Sequence, residues 1–170
     1  AAACAGGVVG AFPTSNSASI EELEQWFDAI EADARRGLPA GGAPGPICAN
    51  LIVGKQNTRL AEDVACVARR RVPLVITGVG SPAPVLAPLH EAGCLVLADV
   101  ASEAHARKAL AAGADGLVLL AAGAGGHTGW ANPMAFVRAV RAFYDGPVVL
   151  TGGMADGAAL WSAIALGCDA

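Results

Sequence analysis

Residues 116–129 read GLVLLAAGAGGHTG, and residues 147–157 read PVVLTGGMADG. Each stretch is a short apolar run that breaks into a glycine-rich loop and then into a segment with helical spacing. A short, non-alternating apolar run bounded by glycine reads as a buried parallel strand. A glycine-rich loop between strand and helix lets backbone N–H groups come close to an anion, and the N-terminus of the helix adds a favourable dipole. The first loop also carries His127, the type of side chain best suited to proton transfer near neutral pH. Two such loops on consecutive βα units point to a phosphate-bearing cofactor beside a candidate catalytic histidine.

The same alternation runs outward in both directions. Strands are expected at 8–12, 47–53, 74–77, 95–99, 116–120 and 147–150, and helices at about 20–36, 59–71, 82–92, 102–112, 133–144 and 156–166. Ser17 or Ser19 is the N-cap of the first helix, with Glu21 and Glu22 in its first turn, where the helix dipole favours acids. Residues 39–46 (PAGGAPGP) read as a loop. The joints Ala92-Gly93-Cys94, Ala112-Gly113-Ala114 and Leu166-Gly167-Cys168 each place a glycine just past a helix, the usual left-handed terminus.

Continuous βα alternation with apolar strands means a parallel sheet, in a barrel or a doubly wound fold. Polar or glycine residues recur near the strand ends at Asn50, Thr77, Asp99, the His127 loop and Thr151-Gly152-Gly153. A (β/α)₈ barrel gathers such ends around one site, so the expected fold is α/β, a TIM-type (β/α)₈ barrel. Six βα units fall short of eight, and the tail GCDA at 167–170 repeats the lead-in to a strand. The expectation is one partial barrel domain over residues 1–170, without its first strand and last strand–helix unit.

Composition narrows the function classes. The chain has 170 residues, 54% of them apolar, and a net charge of −4. Its basic residues are scattered apart from Arg69-Arg70-Arg71, which reads as a solvated helix end. Nothing resembles a nucleic-acid face, and no apolar run reaches the roughly 20 residues of a membrane helix. The five cysteines are far apart, without CxxC spacing, and read as buried reduced thiols of a cytoplasmic protein with no metal site.

Several segments together resemble the FMN-dependent nitronate monooxygenase family. AGAGGHTG at 122–129 is similar to the family's AGGHxG loop, and TGGMADG at 151–157 to its (A/S)GGIADG loop. AIALGCDA at 163–170, AGGVVG at 5–10 and ANL at 49–51 resemble further family segments. The resemblance implies that FMN is the cofactor, that His127 is the catalytic base, and that Gly125 and Gly126 lie against the flavin. It implies further that Gly152 and Gly153 form the phosphate loop and that Asn50 and Asp99 lie near the cofactor. Asp99 stands where some relatives have lysine or threonine. The reaction implied is proton removal beside a nitro group, oxidation through the flavin and completion by O2. The substrate would be a small nitronate or nitroalkane, and a homodimer is compatible. FMN-dependent enoyl-acyl-carrier-protein reductases, which use NAD(P)H, share these loops, and a non-catalytic flavin- or phosphate-binding fragment is the reading of another class.

Plainer roles stand beside these. His127 could cap a helix, and Gly152-Gly153 could serve only a tight turn. Asp156 reads as the N-cap of the last helix rather than an acid catalyst. Trp130 and Met134 read either as an apolar wall over the substrate or as helix packing. Asn50 ends an apolar strand, where an unpaired carboxamide is costly to bury and needs a ligand or a backbone partner.

Overall fold

Apolar runs of four to six residues become parallel strands, and the amphipathic segments between them become helices. The computed structural model describes residues 1–38 and 42–170. Of the loop expected at 39–46, residues 39–41 therefore lie outside the described residues, and 42–46 are neither helix nor strand. The chain forms two units, residues 1–80 with 84–96 and residues 81–83 with 97–170.

The first unit holds α1 (Ala2–Ala5), β1 (Gly10–Pro13), a 3-10 turn at Thr14–Asn16, α2 (Ile20–Arg36), β2 (Ile47–Ile52), α3 (Leu60–Arg69), β3 (Leu74–Gly78), nearly all of α4 (Ala83–Glu91) and the start of β4 (Leu95–Val100). β1 pairs parallel with β2, Gly10 opposite Ile47, and β2 with β3, Cys48 opposite Leu74. The Leu95 N–H donates to the Pro73 carbonyl at 3.0 Å. Ser19 caps α2, its hydroxyl accepting from the Glu22 N–H at 3.2 Å. α2 buries Leu23, Phe27 and Ala34, and Phe12 of β1 meets Phe27 edge-on at 5.2 Å.

Two sequence expectations change here. The first strand starts at Gly10, not Val8: Val8 and Val9 are exposed, and the Val8 N–H bonds back to the Ala3 carbonyl behind α1. Nor is Arg69-Arg70-Arg71 simply a solvated helix end. Arg70 is largely buried, pairs with Glu24 and Asp28, and lies 5.3 Å from the centre of the Phe27 ring. Its partners lie more than forty positions upstream on α2, so nothing local in the sequence signals them.

The second unit holds the rest of β4, α5 (Glu103–Ala112), β5 (Gly116–Leu120), α6 (Pro133–Arg141), β6 (Val148–Thr151) and α7 (Gly157–Leu166). β4 pairs parallel with β5, Leu97 opposite Gly116, and β5 with β6, Leu117 opposite Val148. β5 is buried from Gly116 to Leu119, which explains its unbroken apolar run. Leu117, Leu119, Phe136, Val137, Val140, Val148 and Leu150 form the core. Gly113 and Gly167 end their helices in the left-handed region, as expected from the joints. The Asp169 N–H donates to the Val148 carbonyl and the Leu150 N–H to the Ala170 carbonyl, so the tail runs alongside β6. All five cysteines are buried thiols. Among the described residues no helix is long and apolar enough to cross a membrane.

Candidate active site

The second unit brings its two glycine-rich loops into contact. After β5 the chain turns back at once. The Ala122 N–H donates to the Ala131 carbonyl, the Ala124 N–H to the Ala121 carbonyl, and the Thr128 hydroxyl to the Ala121 carbonyl at 3.0 Å. After β6 the chain passes through Gly152 and Gly153, both at positive φ (114° and 73°). Gly152 is buried against the other loop. A Cβ there would lie 2.8 Å from the Ala122 carbonyl oxygen and 3.0 Å from the Ala124 nitrogen, so only glycine allows this approach. Gly153 differs, because a Cβ there would meet nothing within 4 Å.

Between the loops lies an open depression of about 480 Å³, lined by Gly123–Gly125, Leu150–Gly153, Met154 and Ala155. α7 begins directly after it. Asp156 is the N-cap of α7, its carboxylate accepting from the Ala159 N–H at 2.9 Å, which bears out the plainer reading of that residue. Glycine backbone leading into a helix N-terminus suits an anionic group. The residues present therefore fit a phosphate: the walls are small, and the lining side chains carry no charge.

Of the expected site residues, Gly125, Gly152 and Gly153 line the depression. Gly126 and His127 follow Gly125 directly and are exposed. Asp99 is the penultimate residue of β4 and mostly buried. Burial pushes its carboxyl up to about 6, and the charge of His127 pulls it back down. Asn50 belongs to the first unit. It lies within β2 rather than at its end, and its Oδ1 is buried without a hydrogen-bond partner. Thr77, also in the first unit, is buried. Trp130 is 87% exposed and Met134 61% exposed, so neither belongs to the buried core of the described residues.

Sequence reasoning missed one constellation in the first unit. Asp63, fully buried, accepts from the Thr14 hydroxyl at 2.9 Å and from Arg59 Nε at 2.8 Å. Arg59 also donates to the carbonyls of Ser17 and Thr14 and to the Ser17 hydroxyl. The i,i+4 spacing of Arg59 and Asp63 was visible; their distant partners were not.

The alternation of parallel strands with helices is that of a TIM-type barrel, and within the second unit two glycine-rich loops meet. The chain matches the nitronate monooxygenase family over residues 42–170 and belongs to it. Over 97 residues it is 36% identical to a nitronate monooxygenase of Paraburkholderia phytofirmans, covering 52% of this chain and 26% of that protein. Over 83 residues it is 35% identical to a (3aS,4S,5R,7aS)-5-hydroxy-7a-methyl-1-oxo-octahydro-1H-indene-4-carboxyl-CoA dehydrogenase of Rhodococcus jostii, covering 49% of this chain and 24% of that protein. Its fold is similar to the solved structure of FabK from Thermotoga maritima, with a TM-score of 0.77 and 29% identity over 98% of this chain and 49% of that one. The chain thus spans about half of that structure and matches about a quarter of these two curated relatives.

Proposed function

We propose that the chain carries the cofactor-phosphate and base elements of an FMN-dependent oxidoreductase of the nitronate monooxygenase type, acting in the cytoplasm on a small nitronate or nitroalkane with O2. One observation carries this reading. The loops after β5 and β6 touch so closely that Gly152 excludes a side chain, and the cradle they form lies directly before His127. Gly152 and Gly153, with the start of α7, would hold the FMN phosphate. The backbone at Gly125 and Gly126 would lie along the flavin. Within the first unit, the orphaned Asn50 Oδ1 would accept a hydrogen bond from a ligand, which removes the penalty of burying it unpaired. FMN, when bound, supplies the electron transfer to dioxygen. His127 removes the proton from the carbon beside the nitro group. Exposed Trp130 and Met134 give the substrate an apolar wall.

The test is His127→Asn. It should retain FMN and lose roughly 10²- to 10⁴-fold of its activity on a neutral nitroalkane, the usual scale for general acid–base catalysis. Activity on the pre-ionised nitronate should fall much less, because that proton is already gone. Equal losses on both substrates would give His127 a binding role instead, and no loss on either would remove it from the site.

A second reading, an NAD(P)H-dependent reductase acting on an acyl thioester, is favoured by the likeness to a carboxyl-CoA dehydrogenase. Anaerobic bleaching of the flavin by NAD(P)H would select it. Bleaching by a nitronate alone would select the first reading.

A further inference from the structure

We infer that Met154 makes the anion cradle of the second unit sensitive to oxidation: hydrogen peroxide converts its thioether to a sulfoxide, which sets a hydrogen-bond acceptor on the wall of the depression. This switch rests on the proposed role of the cradle as a phosphate site and adds the means by which that site is turned off.

The walls of the depression leave little else to regulate. Six of the nine residues that line it are glycine or alanine, which offer an incoming anion backbone and at most a methyl group. Leu150 is buried in β6, and the Thr151 hydroxyl is engaged with the Leu119 carbonyl at 3.2 Å. Met154 is the remaining wall residue and the one with a long, flexible side chain. It lies outside helix and strand and is 42% exposed, so it is open to a small oxidant in solution. The residue before it, Gly153, faces open space, since a Cβ there would meet nothing within 4 Å, and the loop has room for one more oxygen. The chain's other methionine, Met134, is more exposed but is not part of the lining. Both thioethers are thus open to the same oxidant, and one of them can alter the cradle.

The chemistry is self-contained. A sulfur lone pair attacks one peroxide oxygen, an S–O bond forms, and the O–O bond breaks. The departing hydroxide takes up the proton lost from the transferred oxygen and leaves as water. Sulfur is oxidised, peroxide is reduced, and nothing else is consumed. A thioether is a weak acceptor, so Met154 as it stands leaves backbone N–H groups to an anion. The sulfoxide is polar, and its oxygen carries partial negative charge. That oxygen repels an anion and competes with it for N–H donors at a glycine loop and helix N-terminus that favour negative charge. No ionisable side chain lines the depression to offset the change. Sulfoxide reductases return the thioether, so the switch is reversible.

Two chains, each with a single methionine, test the switch. Met134→Leu keeps Met154, and Met154→Leu keeps Met134. Each is treated with hydrogen peroxide, and the oxidised residue is located by the mass of one added oxygen. FMN binding is read by flavin fluorescence, with inorganic phosphate as competitor. Oxidised Met134→Leu should bind FMN about ten-fold more weakly, the scale of one lost hydrogen bond to a charged group, and a sulfoxide reductase should restore it. Met154→Leu should bind FMN equally before and after treatment. Met154→Gln, a polar acceptor of similar length, should reproduce the weakening without peroxide. Unchanged affinity with Met154 oxidised overturns the inference, as does a Met154→Gln chain that binds like Met154→Leu. Weakening that comes with loss of the folded far-UV circular dichroism signal also overturns it, because the effect is then unfolding. Failure of the untreated chains to bind FMN or phosphate is a separate result: it overturns the phosphate-site reading and the switch with it.

Discussion

The turn after β1 and the loop after β5 follow strands in the same way and are built by opposite means. The turn at 14–17 is fastened by side chains: the guanidinium of Arg59 bonds to both of its ends, and Asp63 anchors Arg59 and Thr14 together. The loop at 121–131 is fastened by its backbone and one hydroxyl, with glycine where other residues would have bulk. The first arrangement directs its polar groups inward. The second leaves an open cradle with exposed His127 at its edge. A turn closed by side chains suits holding; a loop closed by glycine suits binding.

Removing Arg59 or Asp63 should have the largest effect on stability. Arg59→Ala leaves a fully buried carboxylate without its cation. Breaking a buried pair on one side typically costs about 3–5 kcal/mol, and chemical denaturation should show a loss of that size. A loss below 1 kcal/mol would mean that the clamp adds little and would remove the contrast. Gly152→Ala comes next. It places a Cβ at φ 114° and drives it into the Ala122 carbonyl, for about 3 kcal/mol of combined backbone strain and overpacking, with loss of retained flavin. Gly153→Ala, which meets open space, should lose only about 1 kcal/mol. Equal effects at both glycines would contradict the close contact between the loops.

These two regions also mark how far the sequence could be read. β5 was read to the residue, because an unbroken apolar run between glycine and a glycine-rich loop has little freedom of assignment. Most other elements begin and end within three residues of expectation, where terminal turns fray, and α1 has no counterpart among the expected elements. Asp156, Ser19 and Ser102 were legible as caps or helix starts because capping is local. Asn50 was legible as a polar group in need of a partner, since burial in an apolar strand is local too. The Arg59 clamp and the partners of Arg70 were not, because each joins residues more than forty positions apart.

Asp99 gives a pH-dependent prediction on the binding side of the contrast. Its carboxyl is raised from 3.8 to about 6 by burial, with His127 opposing. Between those values the folded state holds more protons than the unfolded state, so stability falls as pH rises through this window. The full penalty is present above pH 6. A rise of about two units corresponds to nearly 3 kcal/mol, or about 2 after allowing for partial exposure. Asp99→Asn should therefore match wild type near pH 4 and exceed it by about 2 kcal/mol at pH 7–8, as read by denaturant midpoints. A constant difference across this range would show that Asp99 is not held in a penalised charged state.

The smallest effect separates capping from binding at the start of α7. Asp156 supplies a hydrogen bond to the Ala159 N–H and also a negative charge at the helix end proposed to hold a phosphate. The two contributions can be divided by substitution. Asp156→Asn keeps a good cap and removes the charge, so stability should change by only a few tenths of a kcal/mol. Flavin retention should rise a few-fold, because like charges no longer meet at the cradle. Asp156→Ala removes both, so it should lose about 1 kcal/mol of stability while still gaining in flavin retention relative to its own fold. Dialysis followed by flavin fluorescence, paired with thermal unfolding, reads the two quantities independently. If Asp156→Asn instead releases flavin, the carboxylate is itself a cofactor contact. The loop after β6 would then resemble the turn after β1, holding by side chain rather than by bare backbone.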